Sequence, residues 1–194
     1  MQLPRAAYPQ KSMDRRVQHT RSALLGAFRD LLLEDHLLDD IGVAQVAARA
    51  GVGRSTLYQH FSGVDGLLSS SIAAPFSVLV ETLGPRDNVP DLERLLEHFW
   101  ERRVLARTLF TGPMRRRCIA VLVGLLEQKL KSLGLSARGA LILPPRLAAV
   151  QLAEIMLAPT VAWLCGESRC TPAALAGALS KTTTAALGAM RAGV

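Results

Sequence analysis

Apolar positions recur at helical spacing over most of the chain. Leu24, Leu25, Phe28, Leu31 and Leu32 form one stripe, with Arg15, Arg16, His19 and Arg29 on the opposite face. That spacing is the signature of an amphipathic helix, here predicted over residues 15–34 with Asp14 as its cap. Residues 1–13 hold two prolines and no periodicity, and read as a flexible arm. Residues 36–42 form a short polar connection ending in glycine. Two short helical patterns follow, separated by Gly51: residues 43–50, with Val43, Val46, Ala47 and Ala50 on one side, and residues 54–61, with Leu57 and Phe61 on one side. An apolar segment runs from Val64 towards Leu83, and the composition of residues 84–90 is that of a loop.

The rest of the chain continues in helical period. Residues 91–109 read as one amphipathic helix that buries Leu92, Leu95, Leu96, Phe99 and Trp100. Thr111, Gly112 and Pro113 interrupt it. Residues 114–133 form the next helix, and residues 134–143 a linker. Pro144 and Pro145 open a helix to about residue 166, and Thr171 with Pro172 opens the last, to about residue 192; proline is well placed in a first turn. Leu and Ala dominate and aromatics are 5%, a balance that favours helix over strand. The predicted fold class is all-α, divided into an arm (1–13), a small helical domain (14–63) and a larger helical domain (64–194).

Composition narrows the classes. An apolar content of 49% excludes disorder throughout. The net charge of +7 favours polyanionic partners, but its distribution weakens that argument. Residues 1–62 carry 8 Lys/Arg against 6 Asp/Glu, and residues 63–194 carry 15 against 10. Cys118, Cys165 and Cys170 make no disulfide framework and no metal-binding pair, and a site built from His98 with these cysteines lacks ligand spacing. The N-terminus has no apolar run of the secretory kind. The most apolar stretch, residues 141–166, is broken by Pro144, Pro145, Arg146, Gln151, Glu154 and Pro159, so no membrane span is expected. A soluble, cytoplasmic protein follows. No GxSxG, HExxH, phosphate-cradling glycine loop or EF-hand pattern occurs, so no catalytic residue, cofactor or metal is assigned.

Residues 43–61 carry the chemistry. A helix-turn-helix needs a small residue where its two helices cross, and Ala47 supplies it. Its tight turn needs a residue that accepts a left-handed backbone, and Gly51 supplies that. An apolar plug in the second helix is supplied by Leu57. The opposite face then offers Arg54, Ser55, Thr56, Tyr58, Gln59 and His60, all hydrogen-bonding types free to meet a DNA groove.

The run VAQVAARAGVGRSTLYQHFSGVDGLL (residues 43–68) resembles the DNA-binding segment of the tetracycline-repressor (TetR) family. Val46, Ala47, Ala50, Gly51, Val52, Thr56, Leu57, Tyr58, Phe61 and Leu67 carry the match, which covers about residues 15–68 once the preceding helix is included. The resemblance implies a fold of about nine helices, a three-helix DNA-binding domain, and a larger domain for ligand binding and dimerisation. Two positions depart from the family pattern. Gly42 stands where Thr is usual at the start of the second helix, and Val64 where Lys is usual at the start of the fourth. Both usual residues contact phosphates in that family, so weaker binding, a shallower salt slope or compensation from Arg15, Arg16 and the basic N-terminal arm is expected.

The implied partner is a palindromic double-stranded operator. Its contacts are assigned to Arg15, Arg16, Val43, Arg54, Ser55, Thr56, Tyr58, Gln59 and His60. Arg54 suits guanine and Gln59 adenine by their paired donors and acceptors, while Tyr58 and His60 suit the backbone, with packing against the first helix as the alternative for Tyr58. Homodimerisation is assigned to the last two helices, which are apolar almost all round and rich in Ala148, Ala149, Ala153, Ala158, Ala174, Ala178, Ala185, Ala186 and Ala189. An unknown small-molecule effector is assigned to His98, Trp100, Met114, Cys118, Met156 and Trp163, with the helix from Val64 as lever between the domains. Arg102, Arg103 and Arg115–Arg117 read as solvated faces, with an acidic ligand as the alternative. Glu154 reads as a pocket group, a link across the dimer or an exposed acid. Two other functional readings share these residues: a regulator with no small-molecule effector, and a helical-bundle enzyme or carrier that retains the motif.

Overall fold

The apolar stripe of the first helix sets the first core. In the computed structural model, which describes residues 10–34, 41–84 and 88–192, α1 (Gln10–Leu33) buries Leu24, Ala27, Phe28, Leu31 and Leu32. Its start differs from the sequence expectation. The helix begins at Gln10, so Asp14 lies inside it rather than capping it. Residues 10–14 contain no glycine or proline, so nothing stops the helix from extending towards the N-terminus. The rest of the predicted arm, residues 1–9, lies outside the described residues, as does most of the 36–42 connection.

Contacts divide the chain into two units, Met1–Leu67 and Leu68–Val194. In the first, α1 packs on α2 (Val43–Arg49), which packs on α3 (Arg54–His60). Val46, Ala47, Leu57 and Phe61 are buried between them. The first turn of α4 (Val64–Glu81) adds Leu67, and the division between units falls within this helix.

The second unit contains the rest of α4 together with α5 (Val89–Glu101), α6 (Arg103–Phe110), α7 (Gly112–Ser132), α8 (Pro145–Cys165) and α9 (Pro172–Met190). Among the described residues there are nine helices and no strand; an isolated bridge pairs Leu141 with Arg191. Helix α8 packs on α6, α7 and α9, and α5 packs on α6 and α9. Phe110 gathers two rings, Phe99 edge-on at 5.2 Å and Phe76 stacked at 5.8 Å. Asn88 donates its side-chain amide to the Val78 carbonyl at 3.0 Å, tying the start of α5 to α4.

Residues 91–109 are not one helix: α5 ends at Glu101 and α6 begins at Arg103. The apolar stripe through Leu92, Leu95, Leu96 and Phe99 would next fall on residues 102 and 103, and both are arginine. Breaking the helix at Arg102 leaves both guanidinium groups in water, and the stripe resumes with Ala106, Leu109 and Phe110. Burying an unpaired charge would cost far more than the lost turn.

Helices α4 and α8 are long and apolar enough to cross a membrane by length and composition. The buried side of α8, with Leu152, Met156, Leu157 and Trp163, faces the protein core. Its one acid, Glu154, pairs with Arg115 of α7 within the same chain. Ala148, Ala149 and Ala153 are fully buried in the protomer. They therefore serve helix packing here and are removed from the set of small residues open to a second copy. Ala158, Ala174, Ala178, Ala185 and Ala189 are exposed.

Candidate nucleic-acid interface

The turn between α2 and α3 is built by backbone hydrogen bonds that only a glycine accommodates without strain. Val52 N–H donates to the Ala47 carbonyl at 2.9 Å and Gly51 N–H to the Ala48 carbonyl at 3.1 Å. This pair of bonds is a Schellman closure, with Gly51 in the left-handed region at φ +67°. It satisfies the last carbonyls of α2 and redirects the chain within three residues. Gly53 then caps α3, and the Leu57 N–H reaches its carbonyl at 3.2 Å.

A seven-residue helix has little stability of its own, so α3 is held by its neighbours. Leu57 is wholly buried and Phe61 is 5% exposed. Arg21 of α1 adds a clamp. Its Nη1 donates to the His60 carbonyl at 3.1 Å, satisfying an end group of α3, and its guanidinium lies 4.6 Å from the centroid of the Phe61 ring. On the other side, Arg49 of α2 forms a forked pair with Glu34 at 2.8 and 2.9 Å. The hydrogen bond to Glu34, and then its charge, raise the Arg49 pKa further above its ordinary value. Neither clamp is legible in the sequence. Their partners lie 39 and 15 residues away, and no local pattern marks such pairs.

With Leu57 turned inward, Arg54, Ser55, Tyr58 and Gln59 are exposed, while Thr56 and His60 are half-buried. Tyr58 is 61% exposed and stands in solvent rather than packing against α1. Arg15 and Arg16 are exposed on α1, and line a shallow cleft with His19 and Thr20. Val43 is half-buried at the first position of α2. Gly42 caps that helix, and its N–H is held by the Gln45 side chain at 2.7 Å. Val64 opens α4 beside Asp65, so that end carries no cation.

Residues 32–70 match the model of the family described as bacterial regulatory proteins, tetR family. Over this segment, which includes α2 and α3, the chain is similar to the TetR family. YxbF of Bacillus subtilis (strain 168), an uncharacterized HTH-type transcriptional regulator, is 30% identical over 81 residues. That match covers 42% of this chain and 21% of YxbF, so it spans about a fifth of the relative's length. The TetR transcriptional regulator from Streptococcus agalactiae 2603V superposes with a TM-score of 0.55 at 23% identity, covering 89% of this chain and 98% of the other. The dihydroxyacetone kinase operon activator DhaS gives 0.50 at 16% identity, covering 89% and 98%. These likenesses extend the TetR fold over the second unit. Among the described residues the chain shares the all-α architecture of these structures.

The six residues assigned to an effector differ in their settings. Met114, Cys118 and Met156 are core residues at 3, 0 and 0% exposure. Cys118 donates its thiol to the Leu109 carbonyl at 3.1 Å, and burial pushes its pKa up to about 12. His98 is exposed. Trp100 and Trp163 do come together, with ring centroids 4.8 Å apart, at a cleft of about 570 Å³.

Proposed function

We propose that this TetR-family protein is a ligand-responsive repressor that binds a palindromic operator as a homodimer in the cytoplasm. The observation that carries the reading is the two-sidedness of α3. Leu57 is wholly buried while Arg54, Ser55, Tyr58 and Gln59 face solvent, which suits a helix seated in a major groove. Arg54 and Gln59 read bases by bidentate hydrogen bonds. Ser55, Thr56, Tyr58 and His60 contact backbone or base edges, and Val43 packs at the rim. Arg15 and Arg16 supply phosphate contacts in place of those that Gly42 and Val64 cannot make. The small and apolar positions left open on α8 and α9, among them Leu147, Val150, Ala174 and Ala178, support an intermolecular four-helix bundle. An effector acts by binding better to a protomer arrangement whose two α3 helices are wrongly spaced for the operator.

Footprinting on DNA flanking the protein's own coding region tests this. The expected result is protection of two symmetric half-sites, abolished by Arg54→Ala while sedimentation still reports a dimer. Loss of the dimer together with the footprint, or protection that survives Arg54→Ala unchanged, counts against α3 as the reading helix.

A further inference from the structure

The chain has two tryptophans, and both border one cleft. It opens between the end of α5, the start of α6, the end of α8 and the connection into α9. Trp163 is 4% exposed, and its indole N–H donates to the Cys170 carbonyl at 3.0 Å, pinning the α8–α9 connection against α8. Trp100 is 41% exposed and lies at 34° to Trp163. Such an exposure leaves part of a large apolar side chain facing the cleft. Arg103 lies over this ring, its Cζ 5.4 Å from the centroid. Arg169 is the second cation of the lining, and no acidic residue contributes to it. Among the described residues, neither guanidinium is paired with a carboxylate.

These features select a ligand class. A volume of about 570 Å³ lies in the range that takes a small molecule. The indole pair offers stacking surface to a flat ring. Two unneutralised guanidinium groups offer paired N–H donors that match a carboxylate. A neutral ring would leave those donors without an anionic partner. A saturated acid would forgo the stack, and a cation would be repelled.

We propose that this cleft binds a planar aromatic carboxylate. The inference rests on the ligand-responsive reading only for its consequence at the operator, not for the binding itself. Both tryptophans sit at the site, so their fluorescence reports occupancy directly, and Cys170, exposed in the lining, provides a second probe through its alkylation rate. The full-length protein is titrated with benzoate, benzyl alcohol and cyclohexanecarboxylate. Benzoate is expected to give a saturable fluorescence change and to slow Cys170 alkylation, with the other two weaker by roughly tenfold or more. The doubly substituted Arg103→Gln/Arg169→Gln protein, altered only at exposed side chains, is expected to lose benzoate by a similar factor while its circular dichroism is unchanged. No saturable change with benzoate, equal binding of all three compounds, or unaltered benzoate binding by the double variant would each overturn the proposal. Operator binding is measured separately. Benzoate that occupies the cleft without altering operator affinity upholds the site and counts against ligand control by it.

Discussion

Substituting Arg21 tests how α3 is held. Arg21→Met keeps the length and apolar stem of the side chain and removes its charge and donors. Two interactions go: the 3.1 Å hydrogen bond to the His60 carbonyl and the stack on Phe61 at 4.6 Å. A hydrogen bond to a charged donor contributes about 1.5–3 kcal/mol, and the half-exposed setting puts this one near the lower end. A cation over an aromatic ring at such a site adds about 0.5–1 kcal/mol. The two together destabilise the docked α3 by about 2 kcal/mol, which is about 30-fold in a local opening equilibrium. Hydrogen exchange of peptides covering residues 54–61 is the direct assay, and exchange there should accelerate by that factor. Arg21→Lys keeps the charge but not the planar stack and should fall between. Both tryptophans lie in the second unit, so urea unfolding followed by their fluorescence should not move. Exchange of α3 within about twofold of the parent would refute the clamp and assign the helix's position to Leu57 and Phe61 alone.

Other expectations follow from the same geometry. Leu57→Ala opens a cavity in the first core and should destabilise that unit by about 3 kcal/mol, read as reduced exchange protection in α1–α3. Gly51→Ala meets no atom within 4 Å, so its cost is backbone strain alone, about 1–2 kcal/mol, and a D-alanine at the same place in a semisynthetic protein should restore stability. The Arg15→Ala/Arg16→Ala protein should show a salt slope of operator binding shallower by about 0.9 for each phosphate no longer neutralised; an unchanged slope removes these residues from the interface. Cys118, whose thiol is raised to about 12 by burial, favours its neutral form in the fold. The stability this represents is fully present below the unfolded thiol pKa, near 9, and is lost as pH rises from there towards 12. Denaturation at increasing pH should show a decline of at most about 1.4 kcal/mol per pH unit that Cys118→Ala lacks.

The parts of the molecule readable from the sequence are those with local physical demands. The α2–α3 turn needs a left-handed residue and receives Gly51, and the buried face of α3 needs one large apolar residue and receives Leu57. The last helix needs a cap, and Thr171 accepts from the Ala174 N–H at 3.1 Å beside Pro172. Where the governing partner is distant, the sequence carries no mark. The clamp from Arg21 spans 39 residues. The Trp100–Trp163 pair joins two residues each named from its own helix, and only the packing of α5 near α8 makes them one site. The α5–α6 break falls between, since the arginines at 102 and 103 interrupt the apolar stripe without any glycine or proline to announce it.

So short a helix can read DNA only with support from outside itself. On the proposed reading, the exposed side chains of α3 select the bases, while their aim is set by the residues that hold the helix. Leu57 fixes the rotation of the helix about its axis, the Gly51 turn fixes its crossing on α2, and Arg21 fixes its C-terminal end. The pair of Arg49 with Glu34 fixes α2 to the end of α1 in turn. A helix of seven residues that is stable only through such neighbours loses its aim as they are removed. Substitutions at Arg21 or Gly51 should therefore weaken binding to all sequences by a similar factor, whereas substitutions at Arg54 or Gln59 should change the preferred sequence. Binding selections on randomised operators separate the two outcomes. A shifted base preference with Arg21→Met would mean that the guanidinium itself takes part in reading, and that its place on the Phe61 ring is vacated on DNA.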